Sequence, residues 1–154
     1  MPLEELPRID EHAVTVAAAP GAVWEAVLRT LAHTFSPAPA RWGTRLLGCD
    51  PPSTSAWERG DVASAVPGFR IVEARRPHLL VVAGQHRFSR YGIVFRIEPG
   101  GADTVCRAES RAAFPGLRGA LYRLAVVGSG GHVVGVRRLL GAVRADAERA
   151  PRKA

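Results

Sequence analysis

The chain has 154 residues, an ordinary apolar fraction of 47%, a charged fraction of 23% and a net charge of +7. These values are typical of one globular domain, here spanning residues 1–154. All basic residues except Lys153 are arginine, and they are scattered instead of clustered, which argues against nucleic acid as a partner. The charged N-terminus does not resemble a signal peptide, and no apolar window reaches membrane-spanning length. We therefore expect a cytoplasmic protein without integral membrane association.

A strand followed by a helix opens the chain. The segment from His12 alternates, with Val14 and Val16 on one face, which predicts a strand over about 11–18. Pro20 suits a first helical position, and the apolar stripe that follows predicts a helix to about Phe35. The prolines at 37 and 39 cannot continue that helix.

A long run of short apolar strands follows, from about residue 44 to residue 114. The clearest of them cover about 61–66, 68–75, 79–88, 90–98 and 104–114, with turn residues between them. Pro67-Gly68 is either a hairpin turn or a bulge. A sheet of this length curls as it twists, and only the last helix is left to cover its concave face.

Alternation assigns the side chains of the longest strands to two faces. The inner rows are mostly apolar or small, and they consist of Leu80, Val82, Gly84, His86, Phe88, Tyr91, Ile93, Phe95, Ile97, Cys106, Ala108, Ser110 and Ala112. His86, Tyr91 and Ser110 carry polar tips, which bond either to one another or to a polar group of a ligand. Glu109 lies out of phase with this row, so we expect it on the wet face in a charge ladder with Arg111.

The C-terminal segment from about Pro115 predicts one long helix. Its apolar stripe has glycine on successive turns and consists of Leu117, Leu121, Leu124, Gly128, Gly131, Gly135, Leu139 and Ala142. Each glycine weakens a helix by about 1 kcal/mol relative to alanine, so three on one face need a reason. Close approach to the sheet, room for a bound molecule and a kink at 128–131 all remain open. An apolar outer stripe over 124–136 would make the helix a homodimer or partner interface.

The order of elements and one local motif resemble a known superfamily. The opening His12-x-Val14-x-Val16-x-Ala18-x-Pro20-x-x-Val23-Trp24, six further strands and a long closing helix resemble the START-like superfamily, also called SRPBCC or helix-grip proteins. The blocks from Arg76 to Tyr91 and from Phe114 to Arg118 resemble a bacterial branch of it. The resemblance implies an α+β helix-grip fold. In that fold a seven-stranded curved antiparallel sheet surrounds a long C-terminal helix, in the order β-α-α-β6-α.

The same resemblance implies a hydrophobic cavity between sheet and closing helix. Relatives use this cavity for lipids, sterols, hormones, quinones or polyketides, and the aromatic polyketide cyclases catalyse a reaction in it. The motifs that carry the resemblance are structural, and none of them is tied to those enzymes.

Other kinds of site have little support in the spacing of residues. The glycine run before His132 lacks the ending of a phosphate-binding loop. Histidines and cysteines do not stand at metal-binding spacing, so we expect neither metal nor cofactor. Trp42 and Trp57 fall in loop-like segments, where they either cover the cavity mouth or cap the core.

Three functions therefore remain open. The preferred one is binding or carriage of a hydrophobic small molecule, such as a lipid or polyketide, oriented by polar tips. The alternatives are polyketide cyclase/dehydrase-type catalysis with His86 as acid or base, and a protein-interaction module without ligand, including a homodimer. The candidate ligand-binding residues are Val82, His86, Phe88, Tyr91, Ile93, Phe95, Ser110, Trp57, Leu124, Gly128 and Gly131. The sequence does not name the ligand.

Overall fold

The computed structural model describes residues 2–150 and has an α+β architecture. The strands are β1 (Arg8–Val16), β2 (Ala65–Val66), β3 (Phe69–Arg75), β4 (Leu79–His86), β5 (Ser89–Gly100) and β6 (Asp103–Ala113). The helices are α1 (Pro20–Phe35), α2 (Ala38–Leu47), α3 (Gly116–Arg123) and α4 (Gly131–Arg149), with a π-helical turn at Leu124–Gly128. Met1 and residues 151–154 lie outside the described range, and so do the ends of the single domain expected over 1–154.

The sheet is antiparallel, with six strands in the order β1-β6-β5-β4-β3-β2. The expected seventh strand is absent from residues 2–150, because the segment from Thr44 belongs to a helix. That helix, α2, starts after Pro37 and ends before Gly48, whose φ of +68° suits glycine. After it, Pro51 and Pro52 have no N–H to donate to a ladder, so a single bridge from Asp50 to Gln85 stands in place of a strand.

Pro67-Gly68 forms the turn of a tight hairpin, which settles the alternative left open by the sequence. Val66 pairs with Phe69 across it, and Gly68 has a φ of +87°. The irregularity lies further along, where the β3–β4 register shifts between Ile71 and Glu73. This bulge bends the sheet next to its last strand.

The C-terminal helix is broken, so the continuous apolar stripe expected along it is wrong. The π-helical turn and Gly130, with a φ of +79°, separate α3 from α4. On α4 the residues buried in the core include Val136, Leu139, Leu140 and Val143, of which only Leu139 belongs to that stripe. Gly135 and Ala142 of the stripe are exposed. On the other side of the break Leu117, Leu121 and Leu124 are exposed. A Cβ on Gly128 or Gly131 would meet only atoms of the adjoining turn, so among the three explanations the kink accounts for these two glycines.

The outer face of the sheet is partly covered, and Glu109 is buried there instead of lying on a wet face. Only 5% of it is exposed, because the N-terminal segment packs nearby through Leu3 against Gly92. Arg96 Nη1 donates to Glu109 at 3.1 Å and Arg111 Nε donates at 2.5 Å. Burial alone would raise the pKa of Glu109, but these hydrogen bonds and charges outweigh it and lower the pKa below its ordinary value.

Candidate functional site

A cavity of about 690 Å³ lies between the inner face of the sheet and the helices. Phe35 at the end of α1, Leu47 of α2, Tyr122 of α3 and Leu139 of α4 contribute to its wall. Its volume falls within the range of about 300–1,000 Å³ that holds drug-sized ligands. The interior is therefore hollow at one end of the helix layer.

Small residues on two facing elements keep this space open. Ser110 and Ala112 of β6 point inward, as alternation predicts, and both line the cavity. Gly135 of α4 also lines it, and a Cβ built there would have no atom within 4 Å. Of the three explanations for the helical glycines, room for a bound molecule therefore applies to Gly135.

The hydroxyl of Tyr91 is hydrogen-bonded within the protein. The Pro67-Gly68 turn lies over Gly84, where a Cβ would stand 2.0 Å from the Gly68 carbonyl oxygen. Tyr91 donates its hydroxyl to that same oxygen at 2.8 Å. Burial is the main reason why the pKa of Tyr91 is strongly raised. The Tyr91 side chain thus fixes the turn against the cavity wall and stays protonated.

His86 is held as a neutral ring among aromatic side chains. Its Nδ1 accepts the Phe88 N–H at 3.1 Å, which places the proton of the neutral ring on Nε2. Its ring centroid lies 4.7 Å from Tyr122 and 5.5 Å from Tyr91. Burial lowers its pKa, and protonation would break the bond from Phe88, since both ring nitrogens would then be donors. The arrangement favours an N–H donor and disfavours the acid–base role considered for this residue.

Ser110 is a cavity-lining residue with a buried hydroxyl. Only 3% of the residue is exposed, and its Oγ has no partner among residues 2–150. A buried hydroxyl without a partner costs about 1–3 kcal/mol. A ligand acceptor in the cavity would remove this cost.

A second polar group, which the sequence analysis missed, lies where β1 meets α4. His132 Nε2 lies 3.3 Å from Asp10 Oδ1, and His12 Nε2 lies 3.3 Å from Asp10 Oδ2, so one carboxylate accepts from two imidazoles. Asp10 is the register partner of Ser110, and His132 lines the cavity. The sequence carries a signal for this group, because Asp10 and His12 alternate in phase with the inward-facing Val14 and Val16.

The structure brings only part of the predicted binding residues to the cavity. His86, Tyr91, Ile93 and Ser110 line it, and their role in binding stays a prediction. The other seven do not line it, and they are Val82, Phe95, Trp57, Phe88, Leu124, Gly128 and Gly131.

The reasons for these seven misplacements are local. Val82 and Phe95 are fully buried in the core, at positions further along the strands than the cavity. Phe88 lies in the two-residue turn after His86, which ends the inner row of β4. Trp57 caps the core, with its Nε1 donating to the Leu28 carbonyl at 2.8 Å. The break before α4 leaves Leu124 exposed, as it does Gly128 and Gly131.

Aromatic residues of the wall were missed for a related reason. Phe35, Phe69 and Tyr122 line the cavity, with the first two rings 4.8 Å apart. Tyr122 lies on the segment that was expected to present only its leucine stripe to the sheet. Its pKa is raised by burial.

Residues 2–150 contain no group of three or more His, Cys, Asp or Glu side chains placed to hold a metal ion. None of the helices in that range is both long and apolar enough to traverse a bilayer.

Comparison with known proteins identifies the fold. No protein-family model matches the chain, and the search of curated proteins finds no match. Norcoclaurine synthase from Thalictrum flavum, solved with dopamine and hydroxybenzaldehyde, is similar with a TM-score of 0.56 at 12% identity, covering 98% of this chain and 92% of that one. Protein CV1439 from Chromobacterium violaceum has a TM-score of 0.58 at 13% identity, covering 90% and 96%. The Polyketide_cyc-like protein Cgl2372 from Corynebacterium glutamicum has a TM-score of 0.50 at 12% identity, covering 90% of each chain.

These likenesses extend over nearly all of the chain, and their low identities restrict them to the fold. The antiparallel sheet, the paired helices after β1 and a closing helix against the sheet are the parts that the resemblance in sequence implied, although the sheet has six strands instead of seven. The chain therefore shares the helix-grip fold of these structures.

Proposed function

We propose that the protein binds a hydrophobic small molecule in the 690 Å³ cavity, with Ser110 as the hydrogen-bonding anchor. The observation that carries the proposal is that Ser110 lines the cavity and that its buried hydroxyl has no partner among residues 2–150. Burying apolar ligand surface supplies roughly 25 cal/mol per Å². The Ser110 hydroxyl then selects a ligand with a carbonyl or hydroxyl group.

Aromatic rings define the shape of the ligand that fits. Phe69 stands edge-on to Tyr91 at 5.2 Å, and His86 stands edge-on to Tyr122 at 4.7 Å. Flat rings pack well against such walls. The ligand class is therefore a largely apolar molecule with at least one ring and one hydrogen-bond acceptor. Similar fold neighbours include a polyketide cyclase-like protein and an enzyme solved with aromatic compounds, which is consistent with this class.

Filling the cavity tests the proposal. Gly135→Leu places a side chain in the cavity from a position where a Cβ meets nothing. Gly141→Leu is the matched control, because it lies on the same helix, has an equally open Cβ position and does not line the cavity. Both changes remove a helical glycine and should stabilise α4 by roughly 0.5–1 kcal/mol.

Fluorenone and fluorene are suitable probes, since they share a shape and differ in one carbonyl oxygen. Calorimetric titration should show that Gly141→Leu binds both as the unmodified protein does and that Gly135→Leu binds neither. Equal binding by the Gly135→Leu variant would place the probe elsewhere and end the proposal.

A second candidate is polyketide cyclase/dehydrase-type catalysis, and the pair of Asp10 and His132 favours it. The carboxylate orients an imidazole at the cavity wall, which is the arrangement of a general base. Asp10→Asn and His132→Gln should each lower turnover of a poly-β-keto substrate by about 100-fold or more. His86→Gln should have a smaller effect on turnover. Unchanged turnover in the first two variants would remove this candidate.

A further inference from the structure

The exposed large apolar side chains are concentrated on the helices around the cavity. Trp42 and Leu46 of α2 are 76% and 78% exposed, and Leu117, Leu121 and Leu124 on and after α3 are 61–78% exposed. None of these side chains is among the residues that line the cavity. Two cavity walls thus present apolar rows to the outside.

The β4–β5 turn contacts both helices. The Arg87 N–H donates to the Leu47 carbonyl at the end of α2. On the other side of the turn, a Cβ on Gly119 of α3 would stand 3.1 Å from the Phe88 carbonyl oxygen. We call the surface formed by α2, this turn and residues 116–128 the basic apolar face.

The charges of the basic apolar face have one sign. Its arginines are exposed, and none of them forms an ion pair with residues 2–150; they are Arg41, Arg45, Arg87, Arg118 and Arg123. The stretches 26–49 and 114–145 contain no Asp or Glu. By contrast, the arginines of the outer sheet face, such as Arg96, Arg107 and Arg111, are paired with Glu98 or Glu109.

These charges discriminate between possible occupants. A second copy docked through the same face would bring unpaired arginines against arginines, which is unfavourable. A nucleic acid would neutralise the arginines but would leave the leucine rows without cover. An anionic lipid surface suits both the arginines and the leucine rows, because its headgroups attract arginine and its interface accepts tryptophan and leucine side chains.

We propose that the basic apolar face docks the protein peripherally on anionic membranes, with Trp42 and the leucine rows inserted at the headgroup level. The docked orientation places the cavity walls next to the lipid. Docking requires no molecule in the cavity, so it is separable from ligand binding.

Trp42 is a built-in reporter of this contact. The chain has three tryptophans, and the other two are buried, with Trp24 1% and Trp57 4% exposed. Insertion of Trp42 should shift its emission to shorter wavelength. The protein is mixed with vesicles of phosphatidylcholine containing about one third phosphatidylglycerol, and co-sedimentation is measured alongside the emission. Vesicles of phosphatidylcholine alone should produce neither effect.

Charge-neutralising variants complete the test. Each arginine near an anionic surface contributes about a fivefold increase in affinity, so Arg41→Gln with Arg45→Gln should weaken binding roughly 25-fold. The double variant Arg144→Gln with Arg149→Gln is the matched control. It removes the same charge from positions on α4 that lie about 20–27 Å along the helix from Gly131. This control and Gly135→Leu should bind vesicles as the unmodified protein does.

Several results would overturn the proposal. One is co-sedimentation without a Trp42 shift, which would mean contact through another surface. Another is equal loss of binding in the two arginine pairs, which would mean that only net charge matters. Sedimentation velocity showing a dimer that buries Trp42, or binding of single-stranded RNA but not of vesicles, would assign the face to a different occupant.

Discussion

The hydroxyl of Ser110 leads to an unusual prediction, because its removal should affect stability and binding in opposite directions. In Ser110→Ala a buried oxygen without a protein partner is replaced by hydrogen, so no hydrogen bond within residues 2–150 is lost. Since such an orphaned group costs about 1–3 kcal/mol, the ligand-free variant should unfold at equal or higher denaturant concentration, with a gain of at most about that amount.

The matched control is another buried serine that does have a partner. Ser64 is 4% exposed, and its Oγ donates to the Ala56 carbonyl at 2.9 Å. Ser64→Ala should therefore lose about 1 kcal/mol of stability. Urea unfolding of the two variants in the same buffer gives the comparison directly.

Binding should show the reverse order. Loss of one hydrogen bond of about 0.5–1.5 kcal/mol lowers the affinity of Ser110→Ala for fluorenone roughly 2- to 12-fold. Affinity for fluorene should be unchanged, because it has no oxygen to accept a bond. If Ser110→Ala is destabilised as much as Ser64→Ala, or loses affinity for both probes equally, the anchor role of Ser110 is wrong.

Three further predictions follow from the fold and the titrating groups. Glu109 has a lowered folded-state pKa, so its ion pairs stabilise the protein above its ordinary pKa and lose effect as pH falls through the folded value. Glu109→Gln should therefore lower the free energy of unfolding by about 1–3 kcal/mol at pH 7, and this difference should shrink in acid. Urea unfolding at several pH values measures it. The His86 ring should carry its proton on Nε2 at neutral pH, and burial should hold its pKa below that of an ordinary histidine, which nitrogen-15 NMR of the ring can follow; a pKa raised above the ordinary value contradicts the assignment. Gly84→Ala should lose several kcal/mol of stability in thermal unfolding, since the Cβ would stand 2.0 Å from the Gly68 carbonyl oxygen, whereas Gly21→Ala, with no atom within 4 Å, should not.

Elements with a strong repeating pattern were predictable from sequence. The α1 bounds agree because Pro20 starts the helix and the prolines at 37 and 39 prevent its continuation. The inward rows of β5 and β6 also agree, since strict alternation leaves one choice of face once the core side is known. These rows are what place Tyr91, Ile93 and Ser110 in the cavity wall.

The remaining features depend on contacts between distant segments. No local signal shows that the N-terminal segment covers the outer face, so alternation alone predicts a solvent-exposed Glu109. In the structure Glu109 is buried and paired with Arg96 and Arg111. The leucine stripe looked continuous because periodicity assumes an unbroken helix, and the π-helical turn with Gly130 rotates the following residues onto another face. The sequence predicts Trp42 either at the cavity mouth or capping the core, whereas its side chain is exposed and does not line the cavity.

The central claim is that the cavity holds an apolar molecule, and native mass spectrometry of protein purified from its own host tests it most directly. The unmodified protein and Gly141→Leu should both carry a co-purifying small molecule that denaturation releases. Gly135→Leu should carry none, because its side chain occupies the space. An unmodified protein without any adduct, or an adduct retained in full by Gly135→Leu, would contradict the account.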